Sequence, residues 1–198
     1  MRSLQELYGA GDVIWPASVA LARMLAHCPS FVAGRRVLEL GAGLGLPSCA
    51  AAQAGATSLL LADRDGATLV LAARSVALNA PRLLSAGSIA TLNADWMNLE
   101  AWPPPGAVDL VLASDILYDR AFPAPVAALL ARLLAPTAGD DPSAPPRRAL
   151  FADAPQRLNR DAFVAACAER GLQAQVGPLP GPEGTQLIAV VHAGTASG

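Results

Sequence analysis

The 198-residue chain has no lysine; all 14 of its basic residues are arginine. It has only two histidines, His27 and His192, too few for a metal centre built on histidine pairs. The three cysteines, Cys28, Cys49 and Cys167, are odd in number, far apart and without a C-x-x-C pair. That argues against a disulfide framework or zinc site and suits a reducing, cytoplasmic compartment. All three fall in helix-like stretches and are expected to be buried. No apolar run approaches the roughly 18 residues that cross a bilayer, so the mean hydropathy of +0.38 reflects alanine-rich helices and buried strands. Charged residues make up 15% of the chain and the net charge is −2, which gives no global attraction to nucleic acid. Met1–Glu6 contains an acid and no apolar core, so neither a signal nor a transit peptide is expected.

With 53% hydrophobic residues, the chain is long enough to bury the core of one domain spanning 1–198. Strand-like and helix-like runs alternate, which predicts an α/β fold with a mostly parallel sheet. Strands are expected at Val37–Leu40, Leu59–Ala62, Ile89–Leu92, Leu110–Ala113 and Ala149–Ala152. Helices are expected at Val19–Ala26 with Ser18 as N-cap, from Pro47 to before Gly55, from an Asp65 cap to about Leu78, at Val126–Leu134 and at Asp161–Arg170. No helix separates Leu172–Val176 from Leu187–Val191, so these form an antiparallel C-terminal hairpin. Residues 1–17 read as an N-terminal lid segment, the polar stretch within 136–148 as a mobile surface loop, and the tail from Ala193 as frayed.

The run Arg36-Val37-Leu38-Glu39-Leu40-Gly41-Ala42-Gly43-Leu44-Gly45 carries the chemistry. It is a short buried strand entering a glycine-rich turn, where α/β proteins hold nucleotide-like ligands. The next strand ends on Asp63, placed to accept hydrogen bonds from ribose hydroxyls. A dinucleotide fingerprint has a glycine at the position of Leu46, beside the pyrophosphate. A bulky Leu46 followed by Pro47 favours a ribose-bearing ligand without pyrophosphate, of which S-adenosylmethionine (SAM) is the common case. Backbone N–H groups around Gly41–Gly43 and at the next helix start are candidates to receive the ligand's carboxylate. Asp95-Trp96 and Ser114-Asp115 end the following strands. Asp95 is a candidate acceptor from an adenine amino group, and Trp96 gives the base a flat apolar wall. Tyr118 lies three residues beyond Asp115, and Trp15-Pro16 precedes the first strand.

These motifs resemble those of the seven-β-strand SAM-dependent methyltransferases. The Trp15-Pro16 pair and Asp115-Ile116-Leu117-Tyr118 are more closely similar to the family-16 protein-lysine methyltransferases. The resemblance implies a Rossmann-like class I methyltransferase fold: seven strands, a C-terminal antiparallel hairpin and helices on both faces. It implies SAM as cofactor, held by Trp15, Glu39, Gly41, Ala42, Gly43, Asp63, Arg64, Asp95, Trp96 and Ser114. It places Asp115 and Tyr118 at the acceptor, a lysine of a protein substrate. From composition and charge, no metal, membrane or nucleic-acid partner is expected, and the enzyme is expected to act as a monomer. A small-molecule amine is the alternative acceptor, and an inactive SAM-binding partner module is a third reading. A lysine ammonium must lose its proton before it attacks, and a lone carboxylate beside it opposes that loss. Asp115 is therefore expected to orient the amine, and Tyr118 to offer a ring face and hydroxyl. Loops after Tyr118, after Asp153 and at 177–184 are expected to rim the pocket.

Overall fold

The computed structural model describes residues 13–141, 143–179 and 184–193. Residues 1–12 of the expected lid, position 142, the centre of the 177–184 turn (180–183) and the tail 194–198 lie outside the described residues. The strands are β1 (Arg36–Leu40), β2 (Ser58–Asp63), β3 (Ile89–Asn93), β4 (Leu110–Ser114), β5 (Arg148–Asp153), β6 (Leu172–Pro178) and β7 (Gln186–His192). They form one sheet in the order β3-β2-β1-β4-β5-β7-β6. β1 to β5 are parallel, while β7 runs antiparallel to both β5 and β6. The order reverses between β1 and β4, and the crevice beyond their carboxyl ends is where such sheets bind ligands.

The central strands read as unbroken apolar runs because both faces are covered. Val37, Leu59, Leu61, Leu110 and Leu112 pack on one side with α1 (Pro16–His27), α2 (Leu46–Gln53) and α3 (Gly66–Asn79). Leu38, Leu40, Val111, Ala113 and Phe151 pack on the other with α5 (Pro123–Leu133) and α6 (Arg160–Ala168). Alternate residues along each strand thus serve opposite layers.

Asp65 caps α3 as expected, accepting from the N–H groups of Ala67 and Thr68. Ser18, however, is not an N-cap. Proline's fixed φ suits the first helical position, so α1 begins at Pro16 and Trp15 is its cap residue. The Ser18 hydroxyl instead donates back to the Trp15 carbonyl at 2.7 Å. The Asn79-Ala80-Pro81 stop does end α3, but Pro81 also opens an unexpected short helix, α4 (Pro81–Ser85). Cys49 and Cys167 are buried, whereas Cys28 sits half-buried just past α1. Burial pushes the Cys49 thiol up to about 11 and the Cys167 thiol to about 12, so neither is a thiolate near neutrality.

Within 136–148, the described residues are braced by side chains. Thr137 donates its N–H and hydroxyl to Asp140, which pairs with Arg147, and Arg147 also reaches the Ala135 carbonyl at 2.9 Å. Donation by Arg147 and Thr137 holds the Asp140 carboxyl well below the usual range. Among the described residues, no helix is long and apolar enough to cross a membrane.

Candidate active site

A cavity of about 680 Å³ opens at the carboxyl ends of β1, β2 and β4. Its walls include Trp15, Gly41, Ala42, Gly43, Asp63, Arg64, Trp96, Ser114, Asp115 and Tyr118, residues brought together from five separate segments. The turn after β1 positions one end. Gly41, Gly43 and Gly45 have φ of 60°, 52° and 72°, in the left-handed region that glycine enters freely. A Cβ on Gly41 would stand 3.0 Å from Ile116 Cγ2, and one on Gly45 would stand 3.2 Å from Val76 Cγ2 on α3. Glycine at 41 therefore lets the turn approach the β4 loop, and glycine at 45 lets it approach α3. Asp63 pins the same turn to β2: its Oδ2 accepts the Gly43 N–H at 3.2 Å and its Oδ1 the Asp65 N–H at 3.0 Å. Asn93 adds a brace that the sequence did not single out, donating to the carbonyls of Asp63 and Arg64.

Three of the backbone donors expected to receive a ligand carboxylate, those of Ala42, Gly43 and Ser48, are used inside the protein. The Ala42 N–H donates to the Ala62 carbonyl and the Gly43 N–H to Asp63. At the start of α2, Pro47 has no N–H, and Ser48 donates both its N–H (3.0 Å) and its hydroxyl to Glu39 Oε2. Glu39 is 1% exposed and stands behind the cavity wall, not on it. Its Oε1 is buried without a hydrogen-bond partner among the described residues. Burial pushes this carboxyl up to about 8; Ser48 opposes the rise and the Asp63 charge adds to it. Asp95 is likewise absent from the wall. Its Oδ1 accepts the Met97 N–H at 2.9 Å, and its carbonyl accepts from the Trp102 indole, which fixes the turn carrying Trp96.

The other end of the cavity rests on side chains. Trp96 and Tyr118 both meet Phe122 edge-on, at centroid distances of 5.0 and 5.1 Å. Asp115 has φ 57° and is tied by its N–H to the Ala152 carbonyl on β5. Its carboxylate, 5% exposed, is gripped by Arg157, with Nε to Oδ1 and Nη2 to Oδ2 both at 2.7 Å. The same guanidinium lies 5.8 Å from the centre of the Tyr118 ring. Behind them Asp153 is 1% exposed, with Arg160 Nη2 3.3 Å from its Oδ2. That pair is poorly aligned for a hydrogen bond, since both Asp153 oxygens remain without one among the described residues. Burial pushes the Asp153 carboxyl up to about 6, against the opposing pull of Arg160. Arg157 is the site residue the sequence reading missed. It lies in the loop after β5 that was expected to rim the pocket, but nothing in its neighbours distinguishes it from other surface arginines.

The profile of the lysine methyltransferase family matches residues 3–139. The chain belongs to the lysine methyltransferase family. It is 38% identical over 119 residues to the protein N-lysine methyltransferase METTL21A of Danio rerio, covering 59% of this chain and 52% of that protein. It is 31% identical over 183 residues to the protein N-terminal and lysine N-methyltransferase EFM7 of Eremothecium gossypii, covering 84% and 64%. A third relative, the electron transfer flavoprotein beta subunit lysine methyltransferase of Danio rerio, is 33% identical over 56% of this chain and 39% of its own length. The chain thus spans between about two fifths and two thirds of these relatives. Among solved structures, magnesium protoporphyrin IX methyltransferase from Synechocystis PCC 6803, with bound SAM, aligns at a TM-score of 0.61. It is 18% identical and covers 95% of this chain and 88% of that one. A ribosomal protein L11 methylase from Lactobacillus delbrueckii aligns at 0.62, with 20% identity and coverage of 88% and 78%. The fold is that of the class I SAM-dependent methyltransferases.

The residues of this lysine methyltransferase family member fit such a cofactor. An adenosyl group needs an acceptor for its ribose and a flat wall for its base, and Asp63 and Trp96 line one cavity end. Glu39, a buried carboxyl behind the wall, ties the start of α2 to β1 through Ser48 and so fixes the turn at the other end.

Proposed function

We propose that the chain is a SAM-dependent N-methyltransferase whose acceptor is a lysine side chain of another protein. The observation that carries this reading is one continuous cavity joining Asp63 and Trp96 to Ser114, Asp115 and Tyr118. When bound, the cofactor supplies an electrophilic methyl on a sulfonium. Asp63 accepts from the ribose, its carboxylate already oriented by two backbone N–H groups. Trp96 stacks with the base, and Asp95 contributes by shaping the turn that carries Trp96. Trp15, Arg64, Ser114 and the Gly41–Gly43 backbone close the walls, and Glu39 stands behind the amino acid end. Asp115 and Tyr118 stand at the acceptor end and align the amine. Transfer of this kind requires little beyond alignment and exclusion of water, which a partly enclosed cavity provides. The same reading makes the protein a cytoplasmic monomer; the three unpaired thiols fit a reducing compartment.

Incubation of the purified chain with methyl-labelled SAM and a cell lysate tests the reading. Label is expected in the lysines of one or a few protein bands. Because the chain has no lysine, lysine label in the gel comes from another protein. Label that passes a small-pore filter would instead mark a small-molecule amine, and an absence of label despite cofactor binding would sink the enzymatic reading.

A further inference from the structure

A carboxylate beside an aromatic ring is a ready-made cation site. In this chain that site is already filled by the protein's own cation: Arg157 takes both oxygens of Asp115 and lies over Tyr118. Left alone, Asp115 would hold an incoming lysine as ammonium, which has no lone pair with which to attack. We infer that Arg157 is a positioning residue that neutralises Asp115, so that the acceptor mouth takes an amine as the neutral base and refuses cations. This inference rests on the amine-transfer reading above.

Three features support it. The ion pair is two-pronged and its carboxylate is nearly sealed from water, so it is not a loose surface contact that an arriving ammonium would displace at little cost. Of the other charged groups, Asp153 lies behind Asp115 with Arg160 Nη2 3.3 Å from its Oδ2, Asp119 and Arg120 line the adjoining hollow, and Asp63, Arg64 and Asp65 line the far end of the cavity, so the carboxylate beside the Tyr118 ring is Asp115 and the cation paired with it is Arg157. Finally, Arg157 also lines the adjoining hollow with Tyr118 and Leu158, so it stands between the cavity and the surface from which an acceptor enters. An amine therefore releases its proton to solvent before it enters, and the Asp115 lone pairs that Arg157 leaves free align its N–H groups.

Tetramethylammonium, a permanent cation, tests the inference without turnover. Calorimetric titration of the cofactor-free chain should show no saturable binding to wild type. Arg157→Met should bind the probe at least about tenfold more tightly, and the added Asp115→Asn change should abolish that gain. Arg157→Gln, which keeps hydrogen bonding without charge, should behave as Arg157→Met does and serves if the methionine variant does not fold. Equal binding by wild type and both variants would overturn the inference. In the lysate transfer assay, Arg157→Met should move the rising limb of the pH–rate profile upward by about one pH unit, with cofactor affinity within about twofold of wild type. Arg157→Lys should restore the profile, and a limb that does not move in either charge-free variant refutes the inference. If wild type methylates no amine, the functional reading fails while the cation titration still decides the neutralisation.

Discussion

The two ends of the cavity are built by different means. The end between Gly41 and Asp65 is local: three left-handed glycines, the end of β2 and backbone hydrogen bonds within about two dozen residues fix its shape. The acceptor end is assembled over distance, by an ion pair between residues 42 positions apart and by aromatic rings from two connections, Trp96 after β3 and Tyr118 with Phe122 after β4. The difference separates what the main chain fixes from what side-chain charge tunes. The shape of the first end is set by the fold, whereas in the reading proposed above the protonation state of the acceptor is set by one arginine from another loop.

Substitutions that strike one end and spare the other sharpen this contrast. The largest effect is expected from Asp115→Ala: methyl transfer falls by about 100-fold or more through lost alignment, while calorimetry finds cofactor affinity within about twofold. Comparable losses of both would show that the ends are not separable. Asp63→Ala is the reverse case. Loss of an oriented carboxylate weakens cofactor binding by about 10- to 100-fold, and the freed Gly43 N–H loosens the turn.

Glu39 links stability to pH. Its carboxyl is raised from an ordinary 4.5 to about 8, so between those values the folded chain holds a proton that the unfolded chain has released. Stability contributed by the neutral form is therefore full below about 4.5 and lost as pH rises toward 8. Melting curves across this window should flatten in Glu39→Gln, and an unchanged slope would mean that Glu39 does not titrate there. Gly41→Ala should lower stability by about 1–2 kcal/mol, because a left-handed φ and a Cβ 3.0 Å from Ile116 Cγ2 both oppose it. Tyr118→Phe should change transfer least, about two- to threefold, since the ring contacts to Phe122 and Arg157 survive loss of the hydroxyl.

The sheet was legible because strands covered on both faces must be apolar throughout. Their ends were read short where Asp63, Asn93, Ser114 and Asp153 continue the strand with polar side chains. The antiparallel hairpin followed from the missing helix before β7. Pro81 misled because proline both ends one helix and opens the next. At the site, period and spacing located the strand tips but not side-chain direction. Asp95 and Trp96 are neighbours, yet one caps a turn and the other lines the cavity. The helix start after Gly45 looked open to an anion, and only the fold shows Glu39 of β1 already holding Ser48. Arg157 carried no local signal at all, since its partner is reached through the pairing of β4 with β5.

The backbone torsion at Asp115 narrows which amino acids can stand there. It is the one non-glycine among the described residues with positive φ, a setting that short polar side chains tolerate and longer ones resist. Glycine would relax the torsion but leave Arg157 uncompensated, and asparagine would keep the outline without the charge. Glutamate, the nominally conservative exchange, would keep the charge yet combine a strained backbone with a side chain one methylene too long for the grip. At this position, shape and charge can be satisfied together only by aspartate.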